Sequence, residues 1–161
     1  MRRHGWYPVA LATLDVLSKG RLTAGVGIGW MAEEIALLGG PAFRDRAPAS
    51  EEYIEAFREM WTSEAPAKRG KHVDFDNMLF APKSAQTPHP PIWVGGEVDG
   101  ALRRAGRLGD GWYPVAANPR IPLDTPALYA ASLDRVRSEA EKAGRDPGSI
   151  DAAILAIKSR I

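Results

Sequence analysis

The sequence predicts an α/β fold built on a parallel sheet. Four short segments are rich in apolar and β-branched residues without polar alternation, which is typical of strands buried on both faces of a sheet. Amphipathic helical patterns separate these segments, and glycine stands at most of the junctions. Because buried strands that alternate with helices form right-handed βαβ units, the pattern favours about four parallel strands with flanking helices.

The amino-terminal part predicts a helix, a strand and a second helix. The helix would bury Ala10, Leu14 and Leu17 on one face and end at Gly20, where a left-handed residue is needed. The strand that follows is apolar and partly β-branched, and paired glycines end the second helix. These elements are predicted over Val9–Ser18, Leu22–Ile28 and Met31–Leu38.

A long insertion in one crossover is predicted over about residues 41–91. Ser50 is a good N-cap for a helix over Glu51–Thr62. A β-hairpin is predicted next, with strands His72–Phe75 and Met78–Phe80 around an Asp-Asn turn. The proline-rich stretch after it is an extended lead-in to the next strand. We find no internal repeat and predict a single domain over residues 1–161.

The carboxy-terminal part predicts strands that alternate with helices. Three strands are predicted over Ile92–Gly95, Trp112–Val115 and Ile150–Ile157, and two helices over Val98–Leu108 and Pro126–Ala143. Thr125 before Pro126 is a cap-plus-first-turn signal for the last helix. In the helix before it, Arg103, Arg104 and Arg107 are predicted to face solvent. The inward stripe of the last helix would be Tyr129, Leu133, Val136 and Ala140.

The composition excludes several classes of function. Lys and Arg number 21 against 20 Asp and Glu, so the basic excess typical of nucleic-acid binding is absent. The chain has no cysteine, which removes disulfide scaffolds, thiolate metal sites and cysteine nucleophiles. The longest apolar run, Ala152–Ile157, is far too short to span a membrane. We therefore expect a cytoplasmic protein with a small-molecule substrate and no nucleic-acid or membrane partner.

The first candidate site is the glycine-rich strand end that runs from Gly25 to Trp30. Three glycines remove every Cβ from the approach path, so a phosphate or a flat ring could pack against bare backbone. Gly27, Gly29 and Ala32 satisfy the minimal dinucleotide pattern, but no strand ending in an acidic residue follows about 20 positions later. Relief of crowding between closely packed strands explains the glycines equally well.

The second candidate site is Gly95-Gly96-Glu97-Val98, where another strand leads into a helix. Ligands of parallel α/β proteins gather at the carboxyl ends of the strands, so two glycine-rich ends are stronger evidence than one. The alternative is a sharp strand–helix turn with Glu97 as an acid in the first helical turn.

No catalytic constellation emerges from the residues. His4, His72 and His89 have no metal-ligand spacing among themselves and no acidic residue at helical offset, so no metal site is predicted. The adjacent Glu33-Glu34 and Glu51-Glu52 diverge around their helices and are not acid/base pairs. The catalytic residues stay unknown at this level.

Several motifs together resemble the bacterial luciferase-like monooxygenase family, in particular its branch of oxidoreductases that use the deazaflavin coenzyme F420. They arrive in family order and span about residues 8–157. The matching segments are Leu14–Leu22 (LDVLSKGRL), Gly25–Trp30 (GVGIGW), Pro90–Gly96 (PPIWVGG), Ala101–Ala105 (ALRRA) and Gly109–Trp112 (GDGW).

The resemblance implies a TIM barrel with an insertion, of which this chain would be a part holding the fourth to seventh strands. It also implies coenzyme F420, or alternatively FMN, as cofactor. The residues beside the cofactor, chiefly its phosphate-bearing tail, would be Gly27, Ile28, Gly29, Trp30, Gly95, Gly96, Glu97 and Val98.

The sequence departs from the family in three places. Many relatives have Ser or Thr where Val98 stands, and Asp99 adds a carboxylate next to it. Some relatives use Glu as a proton donor where Trp30 stands, and tryptophan cannot transfer that proton. The strands that usually bring the catalytic side chains have no counterpart, and a complete barrel needs about 200 residues or more.

Three functions remain open at this level. The first is an F420-dependent oxidoreductase in which this chain supplies part of the cofactor-binding barrel. The second is an FMN-dependent monooxygenase, and the third is a non-catalytic flavin-binding or truncated remnant. A half-barrel would expose strand edges and an apolar face, so we expect a homo-oligomer or association with a complementary barrel half.

Overall fold

The computed structural model describes residues 6–156 of the chain, and its elements follow the predicted order of helices and strands. The helices are α1 (Trp6–Leu17), α2 (Ala32–Leu37), α3 (Arg46–Thr62), α4 (Asp99–Leu108) and α5 (Pro126–Lys142). The strands are β1 (Ala24–Val26), β2 (Ile92–Val94), β3 (Gly111–Trp112) and β4 (Asp151–Ala152). His4 and the last residue of the predicted fourth strand, Ile157, lie outside the described residues.

Four strands of the described residues form one sheet in the order β1-β2-β3-β4. The strands run parallel, with Val94 opposite Trp112 and Trp112 opposite Ala152, which confirms the predicted α/β fold class. Asp110 sets the start of this register, because its N–H donates to the Ile92 carbonyl (2.7 Å) and its carboxylate accepts the Ile92 N–H (2.9 Å). Asp110, which lies in a turn, thus makes the two hydrogen bonds to Ile92 that a neighbouring strand would otherwise make.

The described residues divide into two compact units. The first holds the chain up to Ala24 together with Ile28–Pro90, and the second holds Gly25–Gly27 together with the chain from Pro91 onward. The single domain with an insertion at about residues 41–91 stays a prediction. In the described range, no helix has both the length and the apolar character that crossing a membrane requires.

The first unit is organised around the buried carboxylate of Asp15 on α1. Asp15 has no exposed surface, and its two oxygens accept the backbone N–H (2.9 Å) and the side-chain amide (2.7 Å) of Gln86. The same amide donates to the Leu22 carbonyl at 2.8 Å. A buried charge is tolerated only when it is hydrogen-bonded, so this network ties α1 to a segment 71 residues away.

The predicted inward face of α1 is wrong. Leu14 and Leu17 are 51% and 73% exposed and Ala10 is exposed, whereas Ala12 and Asp15 have no exposed surface. Periodicity assigned the charged position to solvent, but the donors of Gln86 satisfy the carboxylate and allow that face to be buried. As a result α1 leaves an apolar stripe uncovered in the described structure.

The start of α3 also differs from the prediction. The helix begins at Arg46, with Asp45 as an N-cap that makes no side-chain cap hydrogen bond. Ser50 therefore lies inside the helix, where its hydroxyl donates to the Ala47 carbonyl (3.0 Å). Pro48 is accommodated because it lies in the first turn, where backbone N–H groups have no intrahelical partner.

The predicted β-hairpin is wrong. Residues 72–80 form no strand, and the extended pairing is a single antiparallel bridge between Lys68 and Phe75. The backbone N–H groups of His72 and Val73 donate instead to the carboxylate of Glu52 on α3, at 2.7 and 3.0 Å. These donors are therefore satisfied by a side chain rather than by a partner strand.

The second unit packs α4 and α5 on one face of the sheet. Ile92, Val94 and Trp112 are buried on this face, and the Trp112 ring stacks on Tyr129 of α5 at 5.2 Å. Leu133, Val136 and Ala140 are buried as predicted, while Tyr129 is half-buried. The hydroxyl of Thr125 accepts the Leu128 N–H (3.3 Å), which confirms the predicted cap.

Arg104 corrects the predicted outward face of α4. It is only 3% exposed, whereas Arg103 and Arg107 are exposed. Because α4 contacts both β2–β3 and α5, its buried arc is wider than a single apolar stripe and reaches position 104.

The outer strands are less buried than predicted. Asp151 and Ala152 of β4 are exposed, and in β1 only Ala24 is buried. Both strands lie at the ends of the described sheet order, where each has one neighbouring strand instead of two. The apolar segments therefore predict strands correctly but overstate their burial.

Replacing Asp15 by alanine tests the buried network of the first unit. The Asp15→Ala variant leaves both Gln86 donors without their acceptor, so we expect the free energy of unfolding to fall by about 2–4 kcal/mol in urea titrations. Tyr7→Phe, at an exposed position of the same helix, is the control and should change it little. Equal losses in the two variants would contradict the role of the network.

Glu52 gives a pH-dependent prediction. Desolvation raises the pKa of Glu52, but hydrogen bonds from the backbone of His72 and Val73 outweigh it, so the pKa lies below its ordinary 4.5. A carboxylate with a lowered folded-state pKa stabilises the fold above its unfolded-state pKa and loses that contribution as pH falls through the folded-state value. The stability difference between wild type and Glu52→Gln should therefore be largest near pH 7 and shrink below about pH 4.5. Denaturation curves at several pH values measure it, and a constant difference would refute the assignment.

Candidate functional site

One row of residues crosses the carboxyl ends of the strands. Backbone hydrogen bonds continue the parallel pairing past the strands, from Gly95 to Val26 (2.9 Å), from Tyr113 to Val94 (3.0 Å) and from Ala153 to Trp112 (3.1 Å). In a parallel ladder these bonds place one residue of each strand end opposite the next. The resulting strand-end row is Gly27, Gly95, Tyr113 and Ala153.

The two glycines of the strand-end row leave bare backbone at this edge. A Cβ added at Gly27 would meet no atom within 4 Å, and the same holds for Gly25. A Cβ at Gly95 would lie in ordinary contact, 3.4 Å from the Tyr113 carbonyl oxygen. Neither position of the row needs glycine for packing, so the crowding explanation offered for these glycines is not supported here.

Gly96, in contrast, is required by the turn from β2 into α4. Its φ of +111° is a conformation that side-chain-bearing residues rarely adopt, and a Cβ would lie 2.8 Å from that of Ala101. The Trp112 indole donates to the Gly96 carbonyl (2.9 Å) and holds the turn. A sharp strand–helix turn accounts fully for this glycine.

Glu97 is bound to a neighbouring loop. One carboxylate oxygen accepts the Val115 N–H (2.7 Å), and the other accepts the Asn118 side-chain amide (2.5 Å). The side chain is buried, with 9% of its surface exposed. Glu97 also precedes the N-cap Val98, so the expectation of an acid within the first helical turn is wrong for Glu97, and Asp99 occupies that turn.

The amino terminus of α4 is open to an anion. Val98 is 50% exposed and caps the helix without a side-chain hydrogen bond, so no hydroxyl or carboxylate of the cap covers the first N–H groups. The Asp99 carboxylate is paired with Arg135 of α5 (2.7 Å). This pairing compensates the negative charge that Asp99 adds at the start of α4.

The face of the sheet opposite α4 and α5 carries two half-buried aromatic residues, Trp93 and Tyr113. Tyr113 ends the segment from Gly109, which the sequence predicts as a turn followed by a packed strand. Trp93 and Tyr113 alternate with the buried Ile92, Val94 and Trp112, and their ring centroids are 6.0 Å apart. The Trp93 indole N–H is buried and makes no hydrogen bond among the described residues. The sequence could have predicted this face, because side chains alternate along a strand. Positions 93 and 113 therefore face away from α4 and α5.

The predicted site residues divide between the two units. Gly27 and Gly95 are brought together in the strand-end row, with Gly96, Glu97 and Val98 following directly in the chain. Ile28, Gly29 and Trp30 belong to the first unit. There Gly29 has a φ of +73°, and Trp30 is 79% exposed. The assignment of all eight residues to a cofactor stays a prediction.

The two described histidines contact residues of the first unit. His89 lies 2.9 Å from the Pro90 carbonyl through Nδ1, with its ring 6.1 Å from that of Trp61, and the backbone N–H of His72 donates to Glu52. Among residues 6–156, no group of three His, Asp or Glu side chains is placed to hold a metal ion. The strand-end row itself consists of two glycines, Tyr113 and Ala153, so it holds no carboxylate or imidazole side chain.

Comparison with known proteins shows which sequences and structures this chain is similar to. The sequence model of a family described as luciferase-like monooxygenase matches residues 9–158. A Mycobacterium tuberculosis protein of uncharacterised function is 38% identical over 118 residues, which are 73% of this chain and 40% of that protein. A phthiodiolone/phenolphthiodiolone dimycocerosates ketoreductase of the same species is 32% identical over 148 residues, or 91% of this chain and 37% of the ketoreductase.

Solved structures share the fold. A monooxygenase from Streptomyces bottropensis has a TM-score of 0.74 at 28% identity, over 94% of this chain and 45% of its own. An F420-dependent secondary alcohol dehydrogenase, solved with an F420–acetone adduct, has a TM-score of 0.77 at 24% identity, over 94% of this chain and 44% of its own. The chain thus spans less than half the length of these relatives, in agreement with the predicted partial barrel.

Separate substitutions of Gly95 and Gly96 test which of the two positions requires glycine. Gly96→Ala should lower the free energy of unfolding by about 1–3 kcal/mol, because the positive φ and the contact with Ala101 strain any side chain. Gly95→Ala should change it by less than about 0.5 kcal/mol, since the added methyl meets only ordinary contacts. Thermal or urea denaturation measures both, and the reverse order of effects would contradict the geometry.

Proposed function

We propose that this chain, which belongs to the luciferase-like monooxygenase family, forms the cofactor-binding part of an F420-dependent oxidoreductase that transfers a hydride. The observation that carries the proposal is the pair Gly27 and Gly95, side by side at the carboxyl ends of β1 and β2 with no packing need for glycine. Bare backbone at this edge suits the close approach of a phosphate or a flat ring.

The residues present fit the phosphate-bearing tail of such a cofactor. The open N–H groups at the start of α4 would face the phosphate, with Val98 as a cap that does not compete for them. Arg135 compensates the charge of Asp99 nearby. Gly96 and Glu97 would shape the turn, and the family resemblance assigns Ile28, Gly29 and Trp30 to the same cofactor. The bound deazaflavin supplies the hydride acceptor or donor.

Hydride transfer is favoured by the relatives. The mycobacterial ketoreductase that is 32% identical over most of this chain is named for reduction of a carbonyl group, which is chemistry of this kind. The F420-dependent secondary alcohol dehydrogenase shares the fold. Trp30 offers no proton, so proton transfer would come from groups outside the described strands. The substrate would be a small molecule, and the protein would act in the cytoplasm.

A second candidate is an FMN-dependent monooxygenase. It is favoured by the 28% identity to the Streptomyces monooxygenase, which is higher than the identity to the F420-dependent dehydrogenase. Both cofactors carry a phosphate and a tricyclic ring, so the strand-end row suits either. A non-catalytic flavin-binding or truncated remnant is the third outcome that the experiments below distinguish.

We also propose that the chain works in association, either with a complementary barrel half or with a second copy. The exposed β4, together with Leu14 and Leu17 on α1, offers a strand edge and an apolar stripe that such a partner would cover. The chain spans about 40% of the curated relatives it matches, whose remaining length would supply the other strands.

Titration of the purified chain with F420 and with FMN tests the cofactor. We expect micromolar binding of F420 and at least about tenfold weaker binding by Gly27→Val, because its side chain fills the open space in front of the row. Ala131→Leu, on the exposed face of α5, should leave both the affinity and the melting temperature unchanged. Binding of FMN alone would select the monooxygenase, and binding of neither cofactor would refute both proposals and leave the remnant.

Light scattering of the purified chain tests the association. A dimer or larger species, or a monomer that binds an apolar dye, agrees with an uncovered stripe and edge. Leu14→Lys with Leu17→Lys should then shift the population toward monomer, since both side chains are exposed in the single chain. A monomer that binds no dye would contradict the proposal.

A further inference from the structure

Glu97 links the β2–α4 turn to the connection between β3 and α5. Its two carboxylate oxygens accept from the Val115 backbone and from the Asn118 amide, at 2.7 and 2.5 Å. Both partners lie in the stretch that leaves the strand-end row after Tyr113. We call Glu97, Val115 and Asn118 the Glu97 clamp.

The clamp continues into the loop beyond it. The Asn118 side-chain oxygen accepts the Arg120 N–H (3.0 Å), and the Leu123 N–H donates to the Ala116 carbonyl (2.9 Å). Asn118 therefore donates to Glu97 with its amide nitrogen and accepts from Arg120 with its oxygen, which leaves one orientation that satisfies both. The loop from Val115 to Leu123 is held at several points, and one buried carboxylate is the point that joins it to β2.

The clamp buries a carboxylate against neutral donors, as the Asp15 network of the first unit also does. Glu97 is buried, and its hydrogen-bond partners are neutral N–H donors rather than a cation. Burying a carboxylate against neutral donors is costly compared with an apolar contact of the same size. The carboxylate comes directly after the two glycines that follow β2. It fixes the stretch of chain that leaves β3, at the edge where the strand-end row lies.

We propose that Glu97 is a positioning residue and not a cofactor ligand: it holds the β3–α5 loop as one wall of the cofactor site. The inference rests on the function proposed above. Because both oxygens are engaged by the loop, the carboxylate is not directed at the anionic tail of a cofactor. The wall keeps Tyr113 and the backbone that follows it in place beside Gly95.

The donor pattern of the clamp permits a reciprocal exchange. In Glu97→Gln the new amide must oppose either the Val115 N–H or the Asn118 amide, and turning Asn118 round would break its bond to Arg120. In Asn118→Asp two carboxylates oppose each other. In the double variant Glu97→Gln with Asn118→Asp, the introduced glutamine would accept from Val115 and donate to the introduced aspartate. Every bond is then restored, and the net charge of the pair matches that of the wild type.

Two measurements on the full chain test the inference. Hydrogen exchange at the Val115 and Arg120 amides reports the clamp itself, and titration with F420 and FMN well below the melting temperature reports the site. We expect Glu97→Gln to speed exchange at both amides, and Asn118→Asp to speed it at Val115, each by about tenfold. Each single variant should also weaken cofactor affinity about tenfold. The double variant should return both quantities to within about threefold of wild type. Glu141→Gln, the same charge change at an exposed position of α5, should alter neither.

The contrary outcomes are distinct. Faster exchange in Glu97→Gln with unchanged affinity would show a merely structural clamp and overturn the positioning role. Tighter cofactor binding in Glu97→Gln would show that the carboxylate acts by repulsion, and unchanged exchange would show that the clamp does not hold the loop. If the wild-type chain binds neither cofactor, the proposed function fails first, and the exchange data show separately whether the clamp exists.

Discussion

The parallel register of the sheet is the constraint on which the rest of the second unit depends. The strands are only two or three residues long, so a shift by one residue would move every side chain to the opposite face. Asp110 prevents this shift through its two bonds to Ile92, and Trp93 lies over Gly111, where a Cβ would approach the indole ring to 2.5 Å. From this starting point the ladder brings Gly27, Gly95 and Tyr113 into one row.

Carboxylates that accept backbone N–H groups recur through the structure. Asp15 accepts from Gln86, Glu52 from His72 and Val73, Glu97 from Val115, and Asp110 from Ile92. In each case the acceptor lies on or beside a helix or strand, and the donors lie in a different segment of the chain, 18 to 71 residues away. In longer sheets, such backbone N–H groups would be satisfied by neighbouring strands. Here acidic side chains accept them, so short strands and long connections occur together.

The same pattern shapes the candidate site. The proposed binding of an anionic, flat ligand rests on the open backbone of Gly27 and Gly95 and on the uncapped start of α4. The acidic residues nearby have other partners: Asp99 pairs with Arg135, and Glu97 binds the β3–α5 loop. Among the described residues, the acidic side chains next to the start of α4 are thus engaged within the protein. The chain matches less than half the length of these two solved structures, and it shares the fold of the part that it matches.

The sequence by itself determined the features that depend on neighbouring residues. The order of helices and strands, the Thr125 cap and the glycine-rich strand ends could be predicted, because capping, turn formation and periodicity act within a few positions. The tertiary structure decided what depends on distant partners. It decided the buried face of α1, since the donors for Asp15 come from Gln86, and it replaced the predicted hairpin, since the donors of residues 72 and 73 find Glu52. It also decided that neither Gly27 nor Gly95 is needed for packing, whereas Gly96 is required by a turn. Finally, it decided that Glu97 binds a loop. The physical reason is the same throughout: a polar group is buried only where a hydrogen-bond partner is within reach, and the position of that partner is a property of the folded chain.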